Sequence, residues 1–342
     1  MAESLTVAAK HCRKAEHSPQ LAAGSFNKKL ANKSEPAGSL YDVIIIGGGP
    51  AGLSAAIYAA RKVLKTVFIS KDIGGQVTWT YDVDNYLGFS HVDAADLIAK
   101  FEEHVTKYEV EKLVGVEVTA VEISDKTKKV ITKEGITYLG TTLIIATGKR
   151  HRLLDVPGEK EFLGMGVSYC STCDAPLFAG LDVAVAGGGN SALEAALDLV
   201  KVAQQVYVVS LTPLTGDAIL QEKVAKAPNV EILTEHEILR IVGDSGVEAI
   251  EIESLTTGEG RTLDVQGVMI EIGLMPNSEL FVDILETNQR GEIVVDSRCR
   301  TDIAGVFACG DVTDVPFKQV VVAAGEGAKA ALAAYDYIIK EN

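Results

Sequence analysis

Asp42-Val43-Ile44-Ile45-Ile46-Gly47-Gly48-Gly49-Pro50-Ala51-Gly52 decides the fold. The first half is a short, almost wholly apolar, β-rich run of the kind a parallel strand buried on both faces requires. The glycines then break it. Leu53 to Arg61 resumes with helix formers, and Thr66-Val67-Phe68-Ile69-Ser70 reads as the next strand. Gly47, Gly49 and Gly52 keep the G-x-G-x-x-G spacing of a dinucleotide fingerprint. The first glycine permits the tight turn, the second lets backbone approach a pyrophosphate, and the third lets helix and strand pack closely. Pro50 and Ala51 open the helix, whose first amide groups would meet the phosphates. An acidic residue normally closes the second strand and holds the adenosine ribose; here Ser70 stands in that place, with Asp72 slightly beyond.

The same grammar returns further along the chain. Asp182 to Ala186 is a strand, Gly187, Gly189, Asn190, Ser191 and Ala192 form a second fingerprint, Leu193 to Val200 is a helix, and Val206 to Ser210 is a strand. A repeat of this long period suggests duplication of a nucleotide-binding unit. Gly115 to Tyr138 alternates in a β manner and predicts an antiparallel meander, matched by Val247 to Leu263 in the second unit. Thr142 to Gly148, containing Ala146, Thr147 and Gly148, and Gly305 to Asp311, containing Gly310 and Asp311, read as buried strands that end at a cofactor. The expected fold is α/β, with two Rossmann-like (three-layer ββα) nucleotide-binding domains, the second inserted in the first. Residues 41–152 and 274–342 would form the outer domain and residues 153–273 the inner one.

At 342 residues the chain has room for two such domains. A formal net charge of -15 argues against a nucleic-acid or anionic-membrane surface, because both would repel it. The longest weakly polar stretch, Val43 to Ala60, carries glycines and a proline and so is not a membrane span. Residues 1–40 are rich in Lys, Ser, Ala and Asn, without the apolar core of a secretory signal, and predict a disordered extension.

Between the two fingerprints lies Cys170-Ser171-Thr172-Cys173-Asp174. Two cysteines at this spacing can cycle between dithiol and disulfide, and Asp174 is placed either to manage a proton or to cap a turn. A structural zinc site needs four ligands; no second C-x-x-C exists and the histidines show no ligand spacing, so no metal is expected. Cys12, Cys299 and Cys309 are isolated, which fits a reducing cytoplasm better than a secreted disulfide framework.

The order of Gly47 to Gly52, Gly74-Gly75-Gln76, Asn85-Tyr86-Leu87-Gly88-Phe89, Ala146-Thr147-Gly148, Ser168 to Asp174, Gly187 to Ala192 and Gly310-Asp311 resembles the low-molecular-weight thioredoxin reductases. The resemblance runs from about residue 41 to the C-terminus. It implies FAD in the first unit, a pyridine nucleotide in the second, a homodimer, and a small inserted domain that rotates. It also implies that Gly310-Asp311 holds the flavin ribityl or pyrophosphate region. Lys318-Gln319-Val320, Gln76 and Asn85 would lie near the isoalloxazine, although turn chemistry alone would account for Gln76 and Asn85.

One departure bears on the electron donor. NADPH-using members carry an arginine cluster after the second βαβ strand, whereas Ser210 to Asp217 contains no Arg or Lys. A dianionic 2′-phosphate without a cation is poorly held. No acidic residue stands at Ser210 to select NADH, and Asn190 replaces the family's usual Asp. The expected function is a disulfide reductase: electrons pass from a donor (NADPH, NADH, ferredoxin or deazaflavin) through FAD to Cys170–Cys173 and on to thioredoxin or a similar small dithiol protein. An FAD-dependent dithiol oxidase and a non-catalytic flavin redox sensor are the alternatives.

Overall fold

The structure is a computed structural model that describes residues 39–80 and 82–341. The extension expected over residues 1–40 therefore lies outside the described residues up to position 38, and Leu40 already opens the first strand. The first part of the chain forms β1 (Leu40–Ile46), α1 (Pro50–Arg61), β2 (Thr66–Ser70), a 3-10 turn (Gly75–Trp79), the hairpin β3 (Asp82–Val83) and β4 (Val92–Asp93), and α2 (Ala94–Thr106). Then follow β5 (Glu111–Val114), β6 (Val118–Ile123), β7 (Lys128–Thr132) and β8 (Thr137–Ile145).

The chain continues through β9 (Lys149–His151), β10 (Val167–Ser168), the single turn α3 (Ser171–Asp174), β11 (Asp182–Ala186), α4 (Asn190–Leu199), β12 (Gln205–Ser210), α5 (Ala218–Lys226) and β13 (Val230–Thr234). β14 (His236–Gly243), β15 (Val247–Ser254), β16 (Gly260–Asp264), β17 (Gly267–Ile270), β18 (Leu274–Pro276), β19 (Val306–Ala308) and α6 (Val320–Glu341) complete it.

The first sheet runs β5-β2-β1-β8-β7-β6, with β19 beside β8. β5, β2, β1 and β8 are parallel neighbours. The predicted meander is present, but its last strand and the run from Thr142 are one strand. Residues Lys128–Ile131 of β7 pair antiparallel with the first half of β8, and β19 pairs parallel with its second half, Leu143 to Ile145. Alternation along β1 divides the core. Val43 and Ile45 pack with α1 and α6, while Ile44 and Ile46 pack with Phe281, Leu285 and Val130.

The second sheet, β10-β17-β11-β12-β13, is parallel throughout. Leu193, Ala196 and Leu199 of α4 cover one face, together with Val224 of α5. The antiparallel sheet β14-β15-β16 covers the other through Ile238, Ile250 and Leu263, which makes three layers. The sequence reading began this meander at Val247 and missed β14. The chain leaves the first sheet through β9 and returns through β18, and these two strands pair with each other.

Candidate functional site

Both glycine turns adopt the same construction. Gly47 has φ +120°, and a Cβ there would overlap the Ala146 carbonyl; Gly187 has φ +134° and stands in the same relation to the Glu271 carbonyl. A Cβ on Gly52 would overlap the Gly47 carbonyl, so that glycine is required for packing. Gly49 differs: nothing lies within 4 Å of the Cβ it lacks. It is the N-cap of α1, and Pro50 occupies the first turn, where a missing N–H costs nothing. The N-terminus of α1 therefore faces open space.

The serines that replace the expected acids have a visible role. Ser70 and Ser210 are buried, and their hydroxyls pack against Gly48 and Gly188. In the second turn the Asp217 N–H donates to Asn190 Oδ1 at 2.7 Å, and Asn190 Nδ2 donates to Asp217 Oδ2 at 3.1 Å. Ser191 donates to the Glu271 carbonyl at 3.4 Å, and Ala192 is buried under α4.

A cavity of about 1450 Å³ opens at the first turn. Gly47, Gly49, Pro50, Ala51 and Gly75 line it, as do Ala146, Thr147 and Gly148 at the end of β8. Gln76, Asp311, Lys318, Gln319 and Val320 line it too, and Cys170, Cys173 and Asp174 face the same space. Three residues expected at the flavin do not line it. Gly52 packs on the Gly47 carbonyl and Gly310 on Ala51, while Asn85 reaches the wall only through Gln319, donating to Oε1 at 3.3 Å. Of the second fingerprint only Ser191 reaches this cavity. The open backbone at Gly49, the helix N-terminus and the long cleft fit a flavin dinucleotide.

Cys170 and Cys173 form a disulfide with Cα atoms 5.3 Å apart. Cys170 caps α3: its Sγ accepts the Cys173 N–H at 3.3 Å. Ser168 Oγ accepts the Cys170 N–H at 3.1 Å and donates to Asp174 Oδ2 at 2.6 Å. Burial raises the Asp174 pKa above the ordinary carboxyl value; Ser168 opposes this, and the charges of Asp82 and Asp84 add to it. Asp82 belongs to the β3–β4 hairpin, where ligand atoms of Asp82, His91 and Asp93 lie within 4.8 Å of one another. This grouping comes from strand pairing of Asp82 with Asp93 and left no spacing signal in the sequence.

Sequence reading also missed a buried charge cluster. Lys149 and Glu292 are both buried and form an ion pair, and Lys318 Nζ lies 3.3 Å from the same Glu292 oxygen. Burial works to raise Glu292, but Lys149, Asn288 and Lys318 overcome it and hold its carboxyl at about 2. Lys318 also donates to the Thr313 carbonyl at 2.7 Å. Asp311 is raised by burial, against the pull of Lys318, Lys149 and the 3.1 Å hydrogen bond from Gln76.

Beside the disulfide, the rings of Trp79, His151 and Tyr169 pack against one another, two pairs tilted and Trp79–Tyr169 edge-on, with centroids 4.6 to 5.7 Å apart. Burial lowers His151 to about 4, so it is neutral at pH 7. The Tyr169 hydroxyl donates to Glu159 at 2.8 Å. These three rings come from distant segments, so no local pattern announces them.

Comparison with known proteins agrees with this geometry. The family described as pyridine nucleotide-disulphide oxidoreductase matches residues 41–327. Thioredoxin reductase from Streptococcus pyogenes is 37% identical with a TM-score of 0.84, covering 88% of this chain and 98% of its own. Lactococcus lactis thioredoxin reductase in its FR conformation is 36% identical over 88% of this chain and 99% of its own, with a TM-score of 0.61. The alkyl hydroperoxide reductase (F subunit) of Staphylococcus aureus is 41% identical over 88% of this chain, which spans 59% of that relative's length. The family and the thioredoxin reductase likeness imply FAD as cofactor. Two nucleotide-binding units flanking a disulfide, matched over this length, place the chain in the pyridine nucleotide-disulphide oxidoreductase family.

Proposed function

We propose that this chain is an FAD-dependent disulfide reductase that passes electrons through Cys170–Cys173 to a small dithiol protein of the thioredoxin type. The observation that carries this reading is that the disulfide and the first glycine turn face one cavity. FAD, when bound, supplies two-electron chemistry between a donor and the disulfide. Gly49 and the first amides of α1 would receive its pyrophosphate, and Asp311, hydrogen-bonded by Gln76, would hold its sugar side. Lys318, Gln319 and Val320 would border the ring, with Asn85 holding Gln319 by its hydrogen bond. Asp174, raised by burial and hydrogen-bonded to Ser168, holds the proton that a leaving thiolate needs.

A homodimer and a rotating insertion accompany this reading. The lower TM-score against the FR conformation, at nearly unchanged identity and coverage, supports two arrangements of the same parts. The outer unit is then residues 41–152 and 274–342, and residues 153–273 turn about the paired strands β9 and β18.

The 41% identity to the staphylococcal hydroperoxide reductase favours a second reading of the partner, as a thiol protein that itself reduces hydroperoxides. The experiment is anaerobic. Flavin reduction is followed against NADPH, NADH, reduced ferredoxin and reduced deazaflavin. The productive donor is then used to compare turnover of thioredoxin and of a thiol peroxidase. Oxygen uptake with dithiols and no turnover of either protein would establish the oxidase instead, and no turnover with any donor the sensor.

A further inference from the structure

Glu271 follows β17 and lines the cavity together with Cys170, Ser171 and Cys173. The backbone N–H of Ser171, the residue that follows Cys170, favours the charged form of its carboxyl, and the Ser191 hydroxyl donates to the Glu271 backbone carbonyl at 3.4 Å. The contact joins the end of a central strand to the first amide of the turn that carries both cysteines. Ser171, Ser191 and Glu271 all lie between residues 153 and 273, so movement of that segment as a body would preserve the contact.

The charged groups around Glu271 are mostly acidic. Glu194, one turn into α4, adds to the raising of its pKa, and Asp198 follows on the same helix and lines the same cavity. Asp174 lies three residues beyond Ser171 on α3. On the strand side Arg152 packs over Gly273, and His151 pairs with Leu274. Among the described residues no ion pair reaches Glu271. Burial, with Glu194, pushes its carboxyl up to about 7.

We propose that Glu271 is a proton-holding residue of the disulfide site, binding a proton when Cys170–Cys173 is reduced and releasing it on reoxidation. The proposal rests on the reading of Cys170–Cys173 as the redox pair. Two electrons from reduced flavin, or from an external dithiol, break the S–S bond. One proton, which reaches the sulfur through Asp174 and is replaced from solvent, makes one sulfur a thiol, and the other remains a thiolate. The new negative charge beside Ser171 raises the proton affinity of Glu271, which takes a second proton from solvent. Transfer of the electron pair to a partner disulfide remakes the S–S bond and returns both protons. Glu271 thereby offsets the thiolate's charge by giving up its own.

The test uses the full FAD-loaded chain equilibrated with dithiothreitol of varied redox ratio, from about pH 6 to about pH 9, with free thiols trapped by alkylation. Glu271→Gln keeps an acceptor for the Ser171 N–H and cannot titrate. Above about pH 7, wild type should lose reduction equilibrium constant up to tenfold more steeply per pH unit than Glu271→Gln, or about 30 mV per unit for a two-electron couple. Equal slopes would overturn the proposal. A disulfide that is not reduced at any ratio would instead remove the redox-pair reading, and this proposal with it. If Glu271→Gln does not fold, infrared difference spectra of the reduced and oxidised Asp174→Asn chain decide: a carboxyl protonation band on reduction supports Glu271, and its absence overturns it.

Discussion

Ser168 and Asp174 are locked together: the serine hydroxyl donates to Asp174 Oδ2 at 2.6 Å while accepting the Cys170 N–H at 3.1 Å. One side chain thus ties the Asp174 carboxyl to the backbone of Cys170. Asp174→Asn should keep FAD and slow disulfide transfer by about 10²–10⁴-fold, the usual contribution of a positioned acid. Single-turnover kinetics of thiol–disulfide exchange would measure it, and an unchanged rate would leave Asp174 as a mere turn cap.

The glycines of the first turn separate binding from folding. Gly49 has open space where a side chain would go, so Gly49→Val should yield a folded but colourless protein. Gly52 has the Gly47 carbonyl there, so Gly52→Val should fail to fold. Flavin absorbance and circular dichroism of the two variants distinguish these outcomes.

Replacing Cys170 or Cys173 by Ser removes the disulfide without touching the α1 turn. Each variant should stay yellow and lose turnover of its thiol partner completely, because exchange needs both sulfurs. Undiminished turnover in either would contradict the relay.

Glu271 gives a signed pH dependence of stability. Its folded pKa of about 7 lies above the ordinary 4.5. Its favourable contribution is therefore complete below about pH 4.5 and lost as pH rises through 7. Glu271→Gln should raise unfolding free energy at pH 8 by on the order of 2 kcal/mol and change it little at pH 4, as read by denaturant melts.

Nucleotide preference follows from what Ser210 to Asp217 lacks. Charge-assisted hydrogen bonds are worth about 1.5–3 kcal/mol each, and this segment has no cation to make one with a 2′-phosphate. NADPH should be a poor donor, with little discrimination against NADH. A micromolar KM for NADPH with strong preference over NADH would show that a cation elsewhere, such as Lys223, has taken over.

The sequence determined by itself what depends on neighbours along the chain. An apolar strand, a glycine turn and a helix declare a nucleotide-binding unit because backbone sterics, burial and strand period act over a few residues, and Val43 to Gly52 states all three. Its duplication at Gly187 and the Cys170–Cys173 pair are legible for the same reason. Tertiary structure decided what depends on charge and contact across space. Lys149 meets Glu292 across 143 positions, and Trp79 meets His151 and Tyr169 from separate segments. Glu271 meets Ser171 from the far end of the insertion. None of these has a local signature, because burial and electrostatic coupling belong to the folded arrangement. Even the single strand β8 was divided in two by sequence reading, since only its partners, β7 on one half and β19 on the other, explain its change from alternating to wholly apolar residues.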